Sequence, residues 1–386
     1  LVPVLVVPLL VGILSGLYPA LFMSSFQPVK TLKGFLKVGG GNVSFRKVLV
    51  VTQFSISIIL IISTAIVFQQ LNFMQKAELG YQKDRIITLD NDPALYTSYE
   101  SFRQKLLSNK AIVDAGRSSR IPTGRLLDSQ GAGTVEGDSL NPSASDIKNV
   151  MADETFIPTY QIQMAAGRNF SREYGTDSTA FILNESAAKD LGWKTAQAAV
   201  GKTMSYGGIR GQVIGVMRDF HFESMHQTIV PMLLQMPSKD APGLLGDISI
   251  KISGNDIKGS LAFIEQTYKQ FVPETPFRYS FLDERFQSLY DAELKQGNLF
   301  GVFAGIAIFI ACLGLFGLSA FAITQRMKEI GVRKVLGASV NSIVQLLSKD
   351  FLKLVAIAAV IAFPVAWYAM YNWLQDFAYR VTIGWW

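Results

Sequence analysis

His221 and His226, with Asp219 and Glu223 beside them, are the residues in this chain whose types come closest to a metal-binding set. Their spacing does not match the i, i+4 repeat that would put two imidazoles on one helix face, and no cysteine or third histidine joins them. The segment is therefore expected to be a turn after a strand, with no metal centre. With two histidines in the whole chain and no G-x-S-x-G elbow, a Ser/His/Asp triad has no basis. Asp283 and Glu284 read as the solvated start of a helix, where carboxylates favour the positive end of the backbone dipole. No G-x-x-x-x-G-K-[ST] run occurs, and the run from Gly39 to Asn42 lacks both the Lys-Ser/Thr end and a strand-to-helix setting, so it is expected to be a turn. The sequence thus offers no catalytic residue and no cofactor site of its own.

Charge is more informative. Arg326, Lys328, Glu329, Arg333 and Lys334 alternate with Met327, Ile330, Val335 and Leu336, and Gly331 and Gly337 punctuate the run. That pattern predicts an amphipathic helix with a mainly basic polar face. Such a helix either lies in the membrane interface and sets topology, or docks on a protein. Glu329 adds nothing to a positive-inside signal and so favours a specific contact. A second pattern, Gly297, Gly301 and Gly305, forms two overlapping G-x-x-x-G units that allow close helix approach, against either another span or a second copy of the chain.

The elements that carry these residues are apolar. Four runs, 1–22, 48–68, 299–323 and 351–371, are long enough to cross a bilayer core of about 30 Å. The loop 23–47 holds Lys30, Lys33, Lys37, Arg46 and Lys47 with no acidic residue, which predicts a cytoplasmic face. The basic region 324–350 then returns to the same side, and Trp367, Tyr368, Tyr371 and Trp373 fall at the outer interface, ahead of an extracytoplasmic tail, 372–386. Across the 386 residues, 49% are hydrophobic and the net charge is +6, yet Gln75 to Gln296 carries 27 acidic against 24 basic residues. The positive excess lies beside the apolar runs and not in the polar domain, which argues for membrane topology and against nucleic-acid binding. No Asp, Glu, Lys or Arg sits in mid-span, so an ion channel or proton-coupled carrier is not expected. Cys312 is the one cysteine, so the outer domain has no internal disulfide and depends on its core. Leu1 opens inside an apolar stretch and Trp386 ends abruptly, which reads as a segment of a longer protein.

The predicted fold class is a membrane α-helical protein with a large α+β extracytoplasmic domain over 81–285 and four transmembrane helices. Strands are expected at 86–89, 180–183, 212–217 and 247–253, and helices at 99–109, 184–191 (capped by Asn184 and stopped by Gly192) and 256–271. The Gly/Ser/Asn/Asp/Pro-rich stretch 131–145 is expected to be a surface loop. Residues 69–80 and 286–298 extend the second and third spans as stalks. These are either stiff transmitters of movement or plain overhangs.

Lys328-Glu-Ile-Gly-Val-Arg-Lys-Val-Leu-Gly-Ala-Ser339 strongly resembles the cytoplasmic signature of FtsX-like ABC transporter permeases of the MacB type. Ser25-Phe-Gln-Pro-Val-Lys-Thr-Leu-Lys33 is similar to the segment after the last helix of such a repeat, and 166–170, 183–188 and 213–222 resemble a MacB-like periplasmic core domain. The resemblance implies the last helix of a first repeat followed by most of a second. It implies a noncatalytic permease subunit in the bacterial inner membrane, with ATP and magnesium held by a partner ABC-type ATPase. A second permease subunit, membrane lipid and a periplasmic adaptor or envelope protein are the other implied partners. The ATPase-coupling residues would be Arg326, Lys328, Glu329, Gly331, Arg333, Lys334 and Gly337. The competing reading is a membrane-anchored receptor or scaffold whose basic loops only set topology.

Overall fold

A computed structural model describes residues 13, 40–143, 145–238, 241–254 and 256–384. The first apolar run and most of the loop 23–47 lie outside these residues. In chain order the elements are α1 (Gly40–Lys76), β1 (Ile86–Asp90), α2 (Tyr99–Leu107), β2 (Ile112–Ser118), β3 (Ala132–Glu136), β4 (Ser139–Pro142) and β5 (Lys148–Met151). Next come α3 (Phe156–Tyr160), β6 (Met164–Gly167), β7 (Phe181–Asn184), α4 (Glu185–Asp190), α5 (Ala196–Ala199), β8 (Thr203–Tyr206), β9 (Ile209–Met217), β10 (Met232–Gln235) and β11 (Asp247–Ile252). The chain continues through α6 (Ile257–Phe271), β12 (Ser280–Phe281), α7 (Leu282–Ser288), α8 (Asp291–Gln325), α9 (Met327–Val335) and α10 (Val340–Leu374).

Two compact units result. One comprises Leu60–Val302 and Val365–Trp386; the other takes the described residues up to Ile59 together with Phe303–Pro364. The larger unit holds two sheets. The smaller sheet has the order β12-β1-β11-β2, and its apolar residues Ile87, Leu89, Ile248 and Ile250 pack with Phe102, Leu106, Ile264 and Tyr268 of α2 and α6. The larger sheet runs β4-β3-β8-β9-β7-β10-β5, with β6 on β9, and its strands shift from antiparallel to parallel pairing at β9–β7 and β10–β5. Asn184 fixes the β7–α4 junction as expected: its side chain accepts from Ala187 N, capping α4.

The largest core is not confined to the sheets. Ile66, Val67, Leu71 and Met74 of α1, Tyr290 after α7, and Met370, Leu374 and Phe377 at the end of α10 are buried in it with Phe156, Tyr160, Phe220 and Phe222. The stalk residues and the tail thus join the hydrophobic interior of this unit. In the other unit the buried side chains among the described residues are Val50 and the small Ser55, Ser57, Ala304, Ala311, Ala358 and Ala362, and Ser55 Oγ donates to Ala358 O at 3.2 Å. Small residues permit such close helix approach in an apolar medium.

Three of the four expected spans fall among the described residues and are helices long and apolar enough to cross a membrane, Lys47–Lys76, Asp291–Thr324 and Val340–Leu374, and the fourth, 1–22, lies outside them. Several expectations change. Gly40 and Gly41 open α1 instead of forming a turn. The stretch 131–145 contains the β3–β4 hairpin, closed by Gly137 at φ +61° and Asp138 between the paired residues Glu136 and Ser139. Residues 286–298 are not one continuous helix, because Leu289 and Tyr290 separate α7 from α8. The final span begins at Val340, so its helix continues from the basic region without a loop at 350. Pro364 lies inside that helix, and α2 stops at Leu107, two residues before the expected end.

Candidate coupling site

The helix α9 carries the residues singled out for docking. Arg326 stands at its N-cap, Lys328, Glu329, Arg333 and Lys334 lie within it, and none of its residues is buried. Glu329 accepts from Arg333 one turn on, at 2.8 Å, and Arg326 pairs with Asp350 at 3.4 Å, all four side chains being roughly half exposed. Exposed pairs of this kind contribute less than about 1 kcal/mol each, so they shape the surface more than they stabilise it. The apolar residues stand out further: Val335 is 88% exposed and Leu336 80%, with Met327 and Val332 also open.

Gly337 ends the helix. Its φ of +89° is left-handed, Gly337 N donates to Lys334 O at 3.2 Å, and Ala338 N donates to Arg333 O at 3.0 Å. Those two bonds form a Schellman motif, which glycine enters without Cβ strain. Gly331 has open space where a Cβ would lie, so it leaves the surface of α9 smooth.

The glycine stripe divides. A Cβ on Gly297 would come within 3.0 Å of Val67 Cγ1, and one on Gly301 would stand 3.8 Å from Thr64 Cγ2, whereas Gly305 faces open space. The first two therefore lie against α1, and Gly305 plays no part in that contact.

A set of polar bonds in the larger unit joins the ends of all three long helices to the α/β domain. Gln70, fully buried on α1, donates through Nε2 to Tyr379 O at 2.8 Å and accepts from Val381 N at 2.9 Å. The tail after α10 is thereby held on α1 as though by a strand pair. On its other edge Ala378 N donates to His226 O at 3.1 Å. His226 Nε2 reaches Glu293 Oε1 of α8 at 3.1 Å, its Nδ1 shares a hydrogen bond with Ser224 Oγ at 3.0 Å, and its ring stacks on Phe377 at 4.4 Å. Tyr290 Oη accepts from Met225 N at 3.0 Å. His221 packs edge-on against Tyr379 at 4.6 Å, and burial holds its imidazole below the ordinary value.

Both histidines therefore belong to the joint between these helix ends and the α/β domain. No group of three or more metal-ligating side chains occurs among the described residues. Of this joint the sequence marks His221 and His226 as a turn and places Gln70, Tyr290 and Glu293 in the stalks, without their pairings. Gln70 was a legible signal, a polar residue inside the apolar stripe of Val67, Leu71 and Met74.

Long apolar helices whose ends are built into the core of a large α/β domain define an integral membrane protein with a water-facing domain. The FtsX-like permease C-terminal family matches residues 301–386, and the MacB-like periplasmic core domain matches residues 51–256, more than half of the chain. The chain belongs to the MacB-type, FtsX-like family of ABC transporter permeases. It is 25% identical over 214 residues to the macrolide export ATP-binding/permease protein MacB of Sodalis glossinidius (strain morsitans), covering 52% of this chain and 32% of that protein. To MacB of Escherichia coli it is 22% identical over 304 residues, covering 76% and 47%. A match at 22% over 196 residues to the uncharacterized ABC transporter permease YknZ of Bacillus subtilis (strain 168) covers 48% of each. The chain thus spans from about a third to about half of these relatives' lengths. Among solved structures, the periplasmic region of MacB from Actinobacillus actinomycetemcomitans aligns with 54% of this chain and 94% of its own, at 17% identity and a TM-score of 0.38.

Proposed function

We propose that this chain is the noncatalytic permease subunit of an ABC transporter, coupling ATP hydrolysis on a partner ATPase to movement of its extracytoplasmic domain. The observation that carries the reading is α9. A nine-residue helix with no buried side chain, exposed cations and exposed Val335 and Leu336 presents a surface that a protein partner would cover. ATP and magnesium are held by that partner. Dimerisation of the ATPase displaces α9, and the motion passes along α8, a helix of 35 residues and roughly 50 Å at 1.5 Å per residue, to Glu293 in the joint with His226. A stiff hydrogen-bonded rod transmits such a shift where a Gly/Ser linker would absorb it. Coupling of this kind requires two conformations that the nucleotide state biases through differential contact.

The protein resides in the bacterial inner membrane, with residues 23–47 and 324–350 cytoplasmic, surrounded by lipid and paired with a second permease subunit. An envelope protein or periplasmic adaptor engages the outer domain, and the outcome is export or mechanical regulation. Charge reversal at Arg333 and Lys334 (R333E/K334E) is expected to abolish both copurification of the ATPase and permease-stimulated ATP turnover. Wild-type values for both would overturn the docking role and favour a membrane-anchored receptor.

A further inference from the structure

The two sheets of the larger unit meet at the ends of β2 and β5, where Ser118 and Ala152 form an isolated antiparallel bridge. Ser119 N donates to Met151 O at 2.7 Å and Asp153 N to Arg117 O at 3.0 Å, which sets Arg117 and Asp153 side by side. A cavity of about 470 Å³ opens at this seam, within the size range of small-ligand sites. Arg117 is 6% exposed and lines it, with its guanidinium carbon 3.8 Å from the ring centroid of Tyr99, the first residue of α2.

Arg117 is not satisfied by its neighbours. Asp153 Oδ2 is 3.7 Å from Nε, beyond hydrogen-bond reach, and accepts instead from Arg117 N at 2.8 Å. The other carboxylate oxygen accepts from Thr155 N and Oγ1 at 3.1 and 2.6 Å. Eight buried side-chain polar atoms lack a partner among the described residues, and three of them, Arg117 Nε, Arg117 Nη1 and Tyr99 Oη, gather here. Folded proteins rarely leave buried donors unpaired, so this concentration points to a ligand that supplies acceptors.

Charge and shape narrow the ligand. Arg172, at the rim, is already paired with Glu100 at 2.9 Å and Glu154 at 2.8 Å. The lining cations, Arg117 and Arg172, are matched by Asp153 and Glu100, so the wall carries no excess positive charge and opposes a dianion more strongly than a monoanion. A planar guanidinium fork matches a carboxylate. Burial holds the Tyr99 phenol well above its ordinary value, so it stays a donor. The remaining wall is apolar, from Met236, Pro237 and Leu245.

We propose that this cavity binds a monoanionic carboxylate borne on an apolar group, either a small organic acid or the free C-terminal residue of a peptide. The carboxylate sits on Arg117 and the Tyr99 hydroxyl, and the apolar group lies against Met236, Pro237 and Leu245. The proposal is independent of ATP coupling.

The test uses the full chain in lipid nanodiscs, titrated with N-acetylphenylalanine, its C-terminal amide, phenyl phosphate and the tripeptide Ala-Ala-Phe. Saturable binding of the acid is expected, with the amide about tenfold weaker or worse and a similar loss in Arg117→Gln, because a hydrogen bond to a charged group is lost. Tyr99→Phe should weaken the acid several-fold. Ser238→Trp, at an exposed lining position, should block binding with no change in melting temperature, which covers the case in which Arg117→Gln fails to fold. Tighter binding of Ala-Ala-Phe than of N-acetylphenylalanine identifies a peptide end, and the reverse identifies a small acid. Equal binding of acid and amide, preference for phenyl phosphate, indifference to Ser238→Trp, or no saturable binding overturns the proposal.

Discussion

Asp247 and Asp90 lie directly opposite each other across the β11–β1 pair, an arrangement that like charges disfavour. Burial, with Asp90 adding to it, pushes the Asp247 carboxyl up to about 6 against the favourable field of Arg285. Between the unfolded value and about 6 the folded chain binds more protons, so this residue's contribution to stability falls as pH rises through that window. Asp247→Asn should therefore raise stability by about 1–2 kcal/mol at pH 7.5, after allowance for partial solvent access, and the gain should vanish by about pH 4. Melting curves at the two pH values check the sign. Gln70 makes the opposite case. Gln70→Leu keeps its bulk but strands Tyr379 O and Val381 N, which should cost about 1–3 kcal/mol and speed amide exchange at Val381.

At the scale of elements, α1 and α8 approach closely because Gly297 has no side chain to hold them apart. Gly297→Val should place methyl groups into Val67 and lower stability by about 1–3 kcal/mol, whereas Gly305→Val, with nothing nearby, should change it little. Paired thermal-stability measurements in the same detergent distinguish them. Three G-x-x-x-G glycines thus look equivalent in sequence and are not equivalent in space. The β3–β4 hairpin shows the converse limit. Its β4 residues are all exposed, so no apolar alternation marked it, and only the Gly137-Asp138 turn pair hinted at a hairpin.

For the whole molecule, the proposed docking and the proposed transmission can be tested separately. Phe377 is buried between Trp373 and His226, and the tail it anchors holds α1 to the 224–226 segment. Phe377→Ala should loosen that joint by about 3–5 kcal/mol. If motion passes through the joint, ATPase copurification should stay at the wild-type level while permease-stimulated turnover or downstream output falls. Equal loss of both would place Phe377 in general stability and not in coupling.

Local chemistry was enough to read much of this protein. Run length and hydropathy marked the three described membrane-length helices, charge asymmetry set a topology to test, short apolar runs located β1, β7 and β9, alternation located β11, and Asn184 and Asp256 announced their helix starts. Each of these rests on residues near one another in the chain. Tertiary structure alone decided the long-range pairings: Gln70 with Tyr379, His226 with Glu293, and Arg117 left with unmet donors beside Tyr99 and Asp153. Hydrogen-bond satisfaction depends on which segments the core brings together. No spacing rule could show which distant segments the two histidines join, or that one arginine among many is buried without a hydrogen-bond acceptor.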